Sequence, residues 1–311
     1  PGTGKTYTTA KRAVEICKTE SEEDLIDYSK IMKKYNELKE SNRIEFITFH
    51  QSYGYEEFIE GIKPIVLNED DESDSENSQE IKYEIVDGIF KKFCDKARKA
   101  QDKENKEPYV FIIDEINRGN ISKIFGELIS LIEPSKREGE KEELEVTLPY
   151  SKELFTIPKN IYIIGTMNTA DRSIALLDIA LRRRFNFIEI MPQYDILKNE
   201  KIENIELDLL LSTINERIEF LLDREHIIGH SYFLNINAFE DLVNVFKNYI
   251  IPLLQEYFYD DFEKIKSIFD NNGFITSKNI SLNNQRKSIY KLNEEALKAP
   301  GKMTTLQQRD F

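Results

Sequence analysis

The sequence predicts an α/β fold in which a parallel sheet, with helices on both faces, is followed by an all-helical domain. Two apolar runs predict the sheet. Residues 110–113, V-F-I-I, are too few for a helix and fit a strand that is buried on both faces. Residues 160–168, N-I-Y-I-I-G-T-M-N, repeat the pattern. Beyond residue 192 the apolar residues recur at three- and four-residue spacing instead, which indicates amphipathic helices.

The chain begins P-G-T-G-K-T, which matches the second half of the phosphate loop G-x-x-x-x-G-K-[ST]. In such a loop Gly2 and Gly4 allow backbone N–H groups to surround phosphates, Lys5 reaches the outer phosphates, and the Thr6 hydroxyl binds magnesium. On its own this short string also fits an ordinary glycine turn. Its combination with an apolar strand that ends in Asp-Glu favours the phosphate loop.

Polar residues end both apolar runs. Asp114 and Glu115 follow the first strand, where one acid can hold a metal ion and its neighbour can orient a water molecule. Taken alone, an acidic strand end in solvent explains them equally well. Asn168 ends the second run, and its amide can hold a γ-phosphate or the attacking water. Asparagine is often only a turn former, but the matching strand ends favour a functional role.

Local patterns predict further elements along the chain. Before the second core strand they are a helix over 6–18, a helix over 20–40, a strand over 43–49, a turn and short helix over 50–58, an acidic mobile loop over 68–80, a helix over 84–100, a helix over 121–132 capped by Asn120, and a hairpin at 144–158. After it they are a helix from about 174 to 185, a strand over 186–190, helices at 207–221, 239–250 and 252–258, a glycine-started aromatic turn at 228–233, and a loose tail. The domains predicted from these elements are 1–192, 193–298 and 299–311.

Composition limits the possible functions. The net charge is −14, from 57 acidic and 43 basic residues, which disfavours broad binding to a nucleic-acid backbone. Two cysteines imply no disulfide framework, so a reducing, cytoplasmic setting is expected. The three histidines are too scattered for a zinc site. No apolar run approaches the roughly 20 residues that a membrane span requires.

The string L-R-R-R-F at 181–185 has two explanations. Basic residues commonly end a helix, because they interact favourably with its dipole. In an acidic protein with a nucleotide site, we prefer an arginine finger, Arg183 or Arg184, that reaches into a neighbouring subunit.

Six strings together carry a family resemblance: G-T-G-K-T, F-H-Q-S-Y-G-Y-E-E-F, D-E-I-N-R-G-N, M-N-T-A-D-R-S, L-R-R-R-F and I-G-H-S-Y-F. From residue 1 to about residue 261 the chain resembles the McrB family of AAA+ proteins, the GTP-hydrolysing motor subunits of McrBC modified-cytosine restriction systems. The string M-N-T-A-D-R-S is the most specific of the six, and G-x-G-K-T is the least.

The resemblance implies a P-loop NTPase sheet domain with a helical lid, assembled as a homo-oligomeric ring that holds nucleotide between subunits. It implies GTP rather than ATP as substrate, Mg²⁺, a McrC-like nuclease partner, and a separate N-terminal domain that contacts DNA. It also implies that the first sheet strand and the leading glycine of the phosphate loop precede Pro1 in a longer protein.

Residue roles follow from the same resemblance. Magnesium would be bound by Thr6 and Asp114, and catalysis would use Glu115, Asn117, Asn168 as first sensor, and Arg183 or Arg184 in trans. Nucleotide would be bound by Gly2, Thr3, Gly4, Lys5, Thr6, Tyr7, Asp114, Asp171 and Arg172. Two alternatives stay open: a MoxR-like remodelling ATPase, because phosphate-handling residues do not select the base, and a non-catalytic nucleotide-binding scaffold.

Overall fold

The computed structural model describes residues 1–17, 27–65, 82–101, 107–170, 179–259, 261–282 and 285–306. They form two compact units. The sheet unit is Thr6–Ile188, and the helical unit is Pro1–Lys5 together with the chain from Glu189 onward. The domain limits at 192 and 298 stay predictions. The predicted acidic loop at 68–80 lies outside the described residues.

The sheet unit contains both helices and strands. Its helices are α1 (Lys5–Cys17, which starts at the end of the phosphate loop), α2 (Tyr28–Glu40), α3 (Tyr55–Phe58), α4 (Ile89–Gln101), α5 (Ile121–Phe125) and α6 (Ile179–Arg182). Its strands are β1 (Ile44–Thr48), β2 (Glu60–Pro64), β3 (Tyr83–Asp87), β4 (Tyr109–Asp114), β5 (Val146–Thr147), β6 (Leu154–Phe155) and β7 (Ile161–Gly165). The helix predicted over 121–132 is α-helical only in α5 and continues as a 3₁₀ helix over Gly126–Ile132.

The central sheet is parallel, in the order β1–β4–β7, as the apolar runs predict. Strand β4 lies in the middle, and its residues from Tyr109 to Ile113 are all buried. Its side chains alternate between two cores. Val110 and Ile112 pack with α1 and α2 on one face, and Phe111 and Ile113 pack with α3, α4 and α5 on the other. The prediction of a sheet covered on both faces is therefore confirmed.

Two hairpins extend this unit, β2 with β3 and β5 with β6. A buried ion pair joins them. The Lys91 ammonium lies 3.3 Å from the carboxylate of Glu60 and 2.7 Å from those of Asp87 and Glu153. Glu60 also accepts the backbone N–H groups of Tyr150 and Ser151 at 2.9 Å. The second hairpin is therefore attached to the first by charge as well as by packing.

Three sequence predictions in this unit were wrong. Residues 84–87 are not the start of a helix but belong to β3, because they pair with β2, and local periodicity does not reveal this pairing. The run 160–168 is not a strand throughout, since β7 ends at Gly165. Residues 186–190 form no strand: no strand pairs with them in the described part of the chain, and Phe187 and Ile188 are exposed.

The helical unit packs around one apolar core. Its helices are α7 (Leu207–Leu221), α8 (Phe239–Val245), α9 (Ile251–Tyr257), α10 (Phe262–Ile268), α11 (Glu294–Leu297) and α12 (Pro300–Leu306), with a π-helical turn, Phe246–Ile250, between α8 and α9. Its strands form two hairpins, β8 (Lys201–Ile202) with β9 (Ile205–Glu206) and β10 (Ile275–Leu282) with β11 (Gln285–Leu292).

The second hairpin, β10 with β11, was not predicted. The predicted loose tail is instead helical over α12, because Met303 and Leu306 are apolar at helical spacing and are buried in the core. No helix among the described residues is long and apolar enough to cross a membrane.

Candidate active site

The carboxyl edge of the sheet brings Asp114 next to a residue that the sequence analysis did not single out. Ile113 and Gly165 are paired in the β4–β7 ladder, so Asp114 and Thr166 emerge side by side. The Thr166 hydroxyl donates a short hydrogen bond to the Asp114 carboxylate and accepts one, of 3.3 Å, from the Glu115 N–H. A hydroxyl directly after the second apolar strand was the signal that could have revealed Thr166.

Glu115 has a left-handed backbone, with φ 51°. A residue other than glycine adopts this conformation rarely and at a cost, and such residues concentrate at functional sites. The backbone on both sides is fixed, because Ile116 N–H donates to the Thr166 carbonyl at 2.8 Å and Phe49 N–H donates to the Asp114 carbonyl at 3.0 Å. Strand pairing thus holds the second carboxylate in an unusual direction. The carboxylate itself lies 3.2 Å from the Arg118 guanidinium.

Asn117 and Asn168 lie next to each other. The Asn117 amide N–H₂ donates to the backbone carbonyl of Asn168 at 3.3 Å. Asn168 therefore lies beyond the strand end and beside Asn117, and Thr166 is the residue that faces Asp114. The Asn117 side-chain oxygen is buried and accepts no hydrogen bond from any residue that the structure describes. A buried acceptor of this kind costs about 1–3 kcal/mol unless something else bonds to it.

Tyr35 and Tyr7 both border the core formed by α1, α2 and β4. Burial, followed by the negative charges of Asp114 and Glu45, raises the pKa of Tyr35. The phenol is therefore neutral at pH 7.

The arginine cluster separates into different environments. Arg184 is largely buried and its guanidinium lies 3.0 Å from the carboxylate of Glu133 in the same unit. The Arg182 guanidinium lies 5.7 Å from the centre of the Phe187 ring. Arg183 is exposed. Asp171 and Arg172 lie outside the described residues.

The phosphate loop belongs to the helical unit up to Lys5 and is held there by the aromatic turn, residues 228–233. The Gly229 N–H donates to the Pro1 carbonyl at 2.8 Å, and the Ser231 N–H donates to the Gly2 carbonyl at 3.0 Å. Only glycine fits at 229, because a Cβ there would lie 1.8 Å from the Gly2 carbonyl carbon. Gly4 adopts φ +83°, a conformation that side chains rarely allow.

His230 lies at the centre of this contact. Its Nδ1 accepts the backbone N–H of Gln193 at 3.1 Å. Its Cε1 and Nε2 lie 3.7 Å from the position that a Cβ on Gly4 would occupy. The side chain is buried, and burial lowers the pKa of His230 below its ordinary value, so the ring is neutral at pH 7.

The residue types fit magnesium. The Asp114 carboxylate and the Thr6 hydroxyl are oxygen donors, which Mg²⁺ prefers, and both residues belong to the sheet unit. The Thr166 hydroxyl orients the carboxylate, as second-shell groups do at metal sites. The unpaired Asn117 oxygen adds an acceptor that can bond to a metal-bound or attacking water.

Comparison with known proteins identifies this arrangement. Residues 28–185 match the AAA domain of the dynein-related subfamily, and residues 206–266 match the α-helical lid domain of McrB. The chain is 41% identical over 244 residues to the type IV methyl-directed restriction enzyme EcoKMcrB subunit of Escherichia coli K12, covering 72% of this chain and 49% of that protein. It is 26% identical over 242 residues to the type II restriction enzyme BsuMI component YdiS of Bacillus subtilis 168, covering 68% of each.

The chain therefore belongs to the AAA class of nucleoside triphosphatases, in the dynein-related subfamily. Within that class it is McrB-like, in its helical lid as well as in its sheet domain. The predicted fold class and the predicted resemblance are confirmed. The chain spans about half the length of the E. coli relative.

Proposed function

We propose that this chain binds and hydrolyses a nucleoside triphosphate, GTP in preference to ATP, as the motor of a modification-dependent DNA restriction complex. The observation that carries the proposal is the sheet edge, where Thr166 fixes Asp114 and strand pairing holds Glu115 in a left-handed conformation. The two relatives are both components of restriction enzymes, which supports the restriction role. By the same analogy the partners are further copies in a ring, a McrC-like nuclease and DNA bound by another domain, in the cytoplasm.

The side chains suit phosphoryl transfer to water. Water attacks the γ-phosphorus, a new P–O bond forms, and the bond to the β–γ bridging oxygen breaks to release nucleoside diphosphate and phosphate. Glu115 accepts a hydrogen bond from the attacking water and orients it, and Asn117 offers its unpaired oxygen to the same water. Bound Mg²⁺ would neutralise phosphate charge, held by Thr6 and Asp114. Lys5 and the N–H groups of the phosphate loop bind the phosphates.

Arg183 is the better candidate for a finger that acts in trans. Arg184 already pairs with Glu133 of its own chain, and moving it would leave that carboxylate without its partner. Arg183 is exposed and follows directly on the same helix end. We therefore assign Arg184 to anchoring the segment and Arg183 to the neighbouring active site.

The first experiment measures GTP and ATP hydrolysis by the full-length protein and by E115Q. The amide keeps the size of the carboxylate but is a weaker acceptor for the water proton. We expect hydrolysis at least about a hundredfold slower in E115Q, with GTP binding unchanged. Faster turnover of ATP than of GTP would overturn the GTP assignment. Binding without hydrolysis in the wild-type ring would favour the scaffold.

The second experiment mixes inactive subunits. An arginine finger contributes roughly 10³ to 10⁵ in rate, so R183A should be nearly inactive. In a random 1:1 mixture of R183A and E115Q subunits, about one quarter of the interfaces combine an intact Glu115 with an intact Arg183. We expect about a quarter of the wild-type rate to return. R184A is the matched control, and its expected defect is in stability. No recovery in the mixture would contradict catalysis in trans.

A further inference from the structure

The aromatic turn contacts the phosphate loop through its backbone rather than through charged side chains. Two N–H groups, from Gly229 and Ser231, donate to two successive carbonyl groups of the loop, those of Pro1 and Gly2. In a phosphate loop the backbone N–H groups are the ones that face the phosphates. The bonds from the aromatic turn to Pro1 and Gly2 therefore use carbonyl groups of the loop and not its N–H groups.

Two rings complete this contact. The Tyr232 ring lies so close to Gly2 that a Cβ there would be 2.6 Å from it, and the His230 imidazole lies against Gly4. Both glycines have positive φ, at +75° and +83°. The aromatic turn thus contacts the loop at its two glycines with positive φ, Gly2 and Gly4.

His230 also joins the aromatic turn to the start of the helical unit. Because the Gln193 N–H donates to Nδ1, Nδ1 carries no proton, and the proton of the neutral ring is on Nε2. The position of the ring against Gly4 is therefore set by a backbone group 37 residues earlier in the chain.

We propose that the aromatic turn is a brace for the phosphate loop and that His230 is its positioning residue, which makes nucleotide affinity depend on the bond from Gln193 N–H to Nδ1. The inference rests on the proposed function, because it takes a nucleotide as the ligand. It adds a residue that no phosphate-loop motif contains. Its contacts are with the Gln193 N–H and with the loop at Gly4, so its expected effect is on nucleotide binding.

The test measures GTP and GDP dissociation constants of the full-length protein with H230N and H230L. The Asn side-chain oxygen can take the place of Nδ1 as acceptor for Gln193, whereas Leu fills the space without accepting. Loss of the acceptor removes the bond that holds the ring in place against Gly4, so H230L should bind both nucleotides roughly tenfold or more weakly. H230N should bind within about threefold of wild type.

If His230 contributed only to the stability of the fold, H230N and H230L would lower the unfolding temperature without nucleotide by the same amount. The dissociation constants of GTP and GDP would then be unchanged. That result would overturn the proposal. Equal weakening by H230N and H230L would also overturn it, because the acceptor would then not matter. Hydrogen exchange adds a reciprocal readout: GTP should slow exchange of the amides of Gln193, Gly229 and Ser231 in wild type.

Glycine substitutions provide a matched pair. G229A places a methyl group 1.8 Å from the Gly2 carbonyl carbon, so it should displace the loop and weaken GTP binding by roughly a hundredfold or more. In G301A the added methyl group meets nothing within 4 Å, and GTP binding should not change. If K5A loses GTP binding but G229A and H230L do not, only the brace is wrong. If wild type binds neither GTP nor ATP, the proposed function fails first.

Discussion

The carboxyl edge of the sheet and the phosphate loop are positioned by opposite means. At the sheet edge, side chains bond to side chains: the Thr166 hydroxyl holds the Asp114 carboxylate, and parallel strand pairing sets the two residues side by side. At the phosphate loop, backbone bonds to backbone, through the N–H groups of Gly229 and Ser231.

This difference decides what a substitution can do in each place. At the sheet edge the chemical group matters, because a carboxylate or a hydroxyl can be replaced only by a group that makes the same bond. At the loop the absence of a side chain matters, because the close approach of Gly229 to Gly2 leaves no room for a Cβ. The sheet edge should therefore be sensitive to chemistry, and the loop should be sensitive to volume.

Removing the Thr166 hydroxyl is the substitution that should affect the sheet edge most. T166V keeps the shape but removes the donor to Asp114 and the acceptor for the Glu115 N–H. Outer-shell partners of this kind are typically worth 10–100-fold in metal affinity or activity. We expect the Mg²⁺ concentration for half-maximal hydrolysis to rise by roughly that factor, measured by titrating Mg²⁺ at saturating GTP.

T166S is the matched control, since it keeps the hydroxyl and loses only a methyl group. It should stay close to wild type in its Mg²⁺ requirement. If T166V and T166S respond alike, the hydroxyl does not hold the carboxylate for metal binding, and the contrast with the phosphate loop disappears.

The sequence predicted the core of this arrangement but not its register. The run ending in Asp114 predicted β4 correctly, because a short apolar segment followed by acids is a strong local pattern. The same reasoning extended the next strand to Asn168, three residues beyond its observed end at Gly165. Which residue faces Asp114 depends on pairing between strands far apart in the chain, and no local pattern encodes it.

Other structural features were also missed because they depend on contacts between residues far apart in the chain. The sequence predicted a helix at residues 84–87 because their apolar spacing continues that of α4, whereas pairing with β2 makes them a strand. The assignment of the arginines needed the contact between Arg184 and Glu133, which are 51 positions apart. The sequence analysis placed His230 in the aromatic turn and in a family string but gave it no role, because its acceptor role is to a backbone N–H that leaves no trace in the residue types.

A pH series should affect the loop contact and not the sheet edge. Burial lowers the pKa of His230 below its ordinary value of 6.5, so the native state binds fewer protons there than the unfolded chain does. The stabilising contribution of the neutral ring is therefore complete above about pH 6.5 and is lost progressively as the pH falls below it. Urea unfolding of wild type between about pH 7.5 and pH 5.5 should show a larger loss of stability than that of H230N.

The comparison between the two proteins isolates this group, because the other histidines and the carboxylates are common to both. Equal losses of stability in wild type and H230N would mean that His230 does not contribute to the pH dependence.

Removing the Ser231 hydroxyl should have the smallest effect on GTP affinity. A small effect is expected because the phosphate loop is held by backbone groups and not by this side chain. Ser231 bonds to Gly2 through its backbone N–H, and its side chain is exposed. S231A keeps the N–H, so GTP affinity should change by less than about twofold and stability by less than about 0.5 kcal/mol. S231P removes the N–H itself and should weaken GTP binding as G229A does. If S231A were as damaging as S231P, the hydroxyl would carry the contact, and the loop would be held by side-chain chemistry just as the sheet edge is.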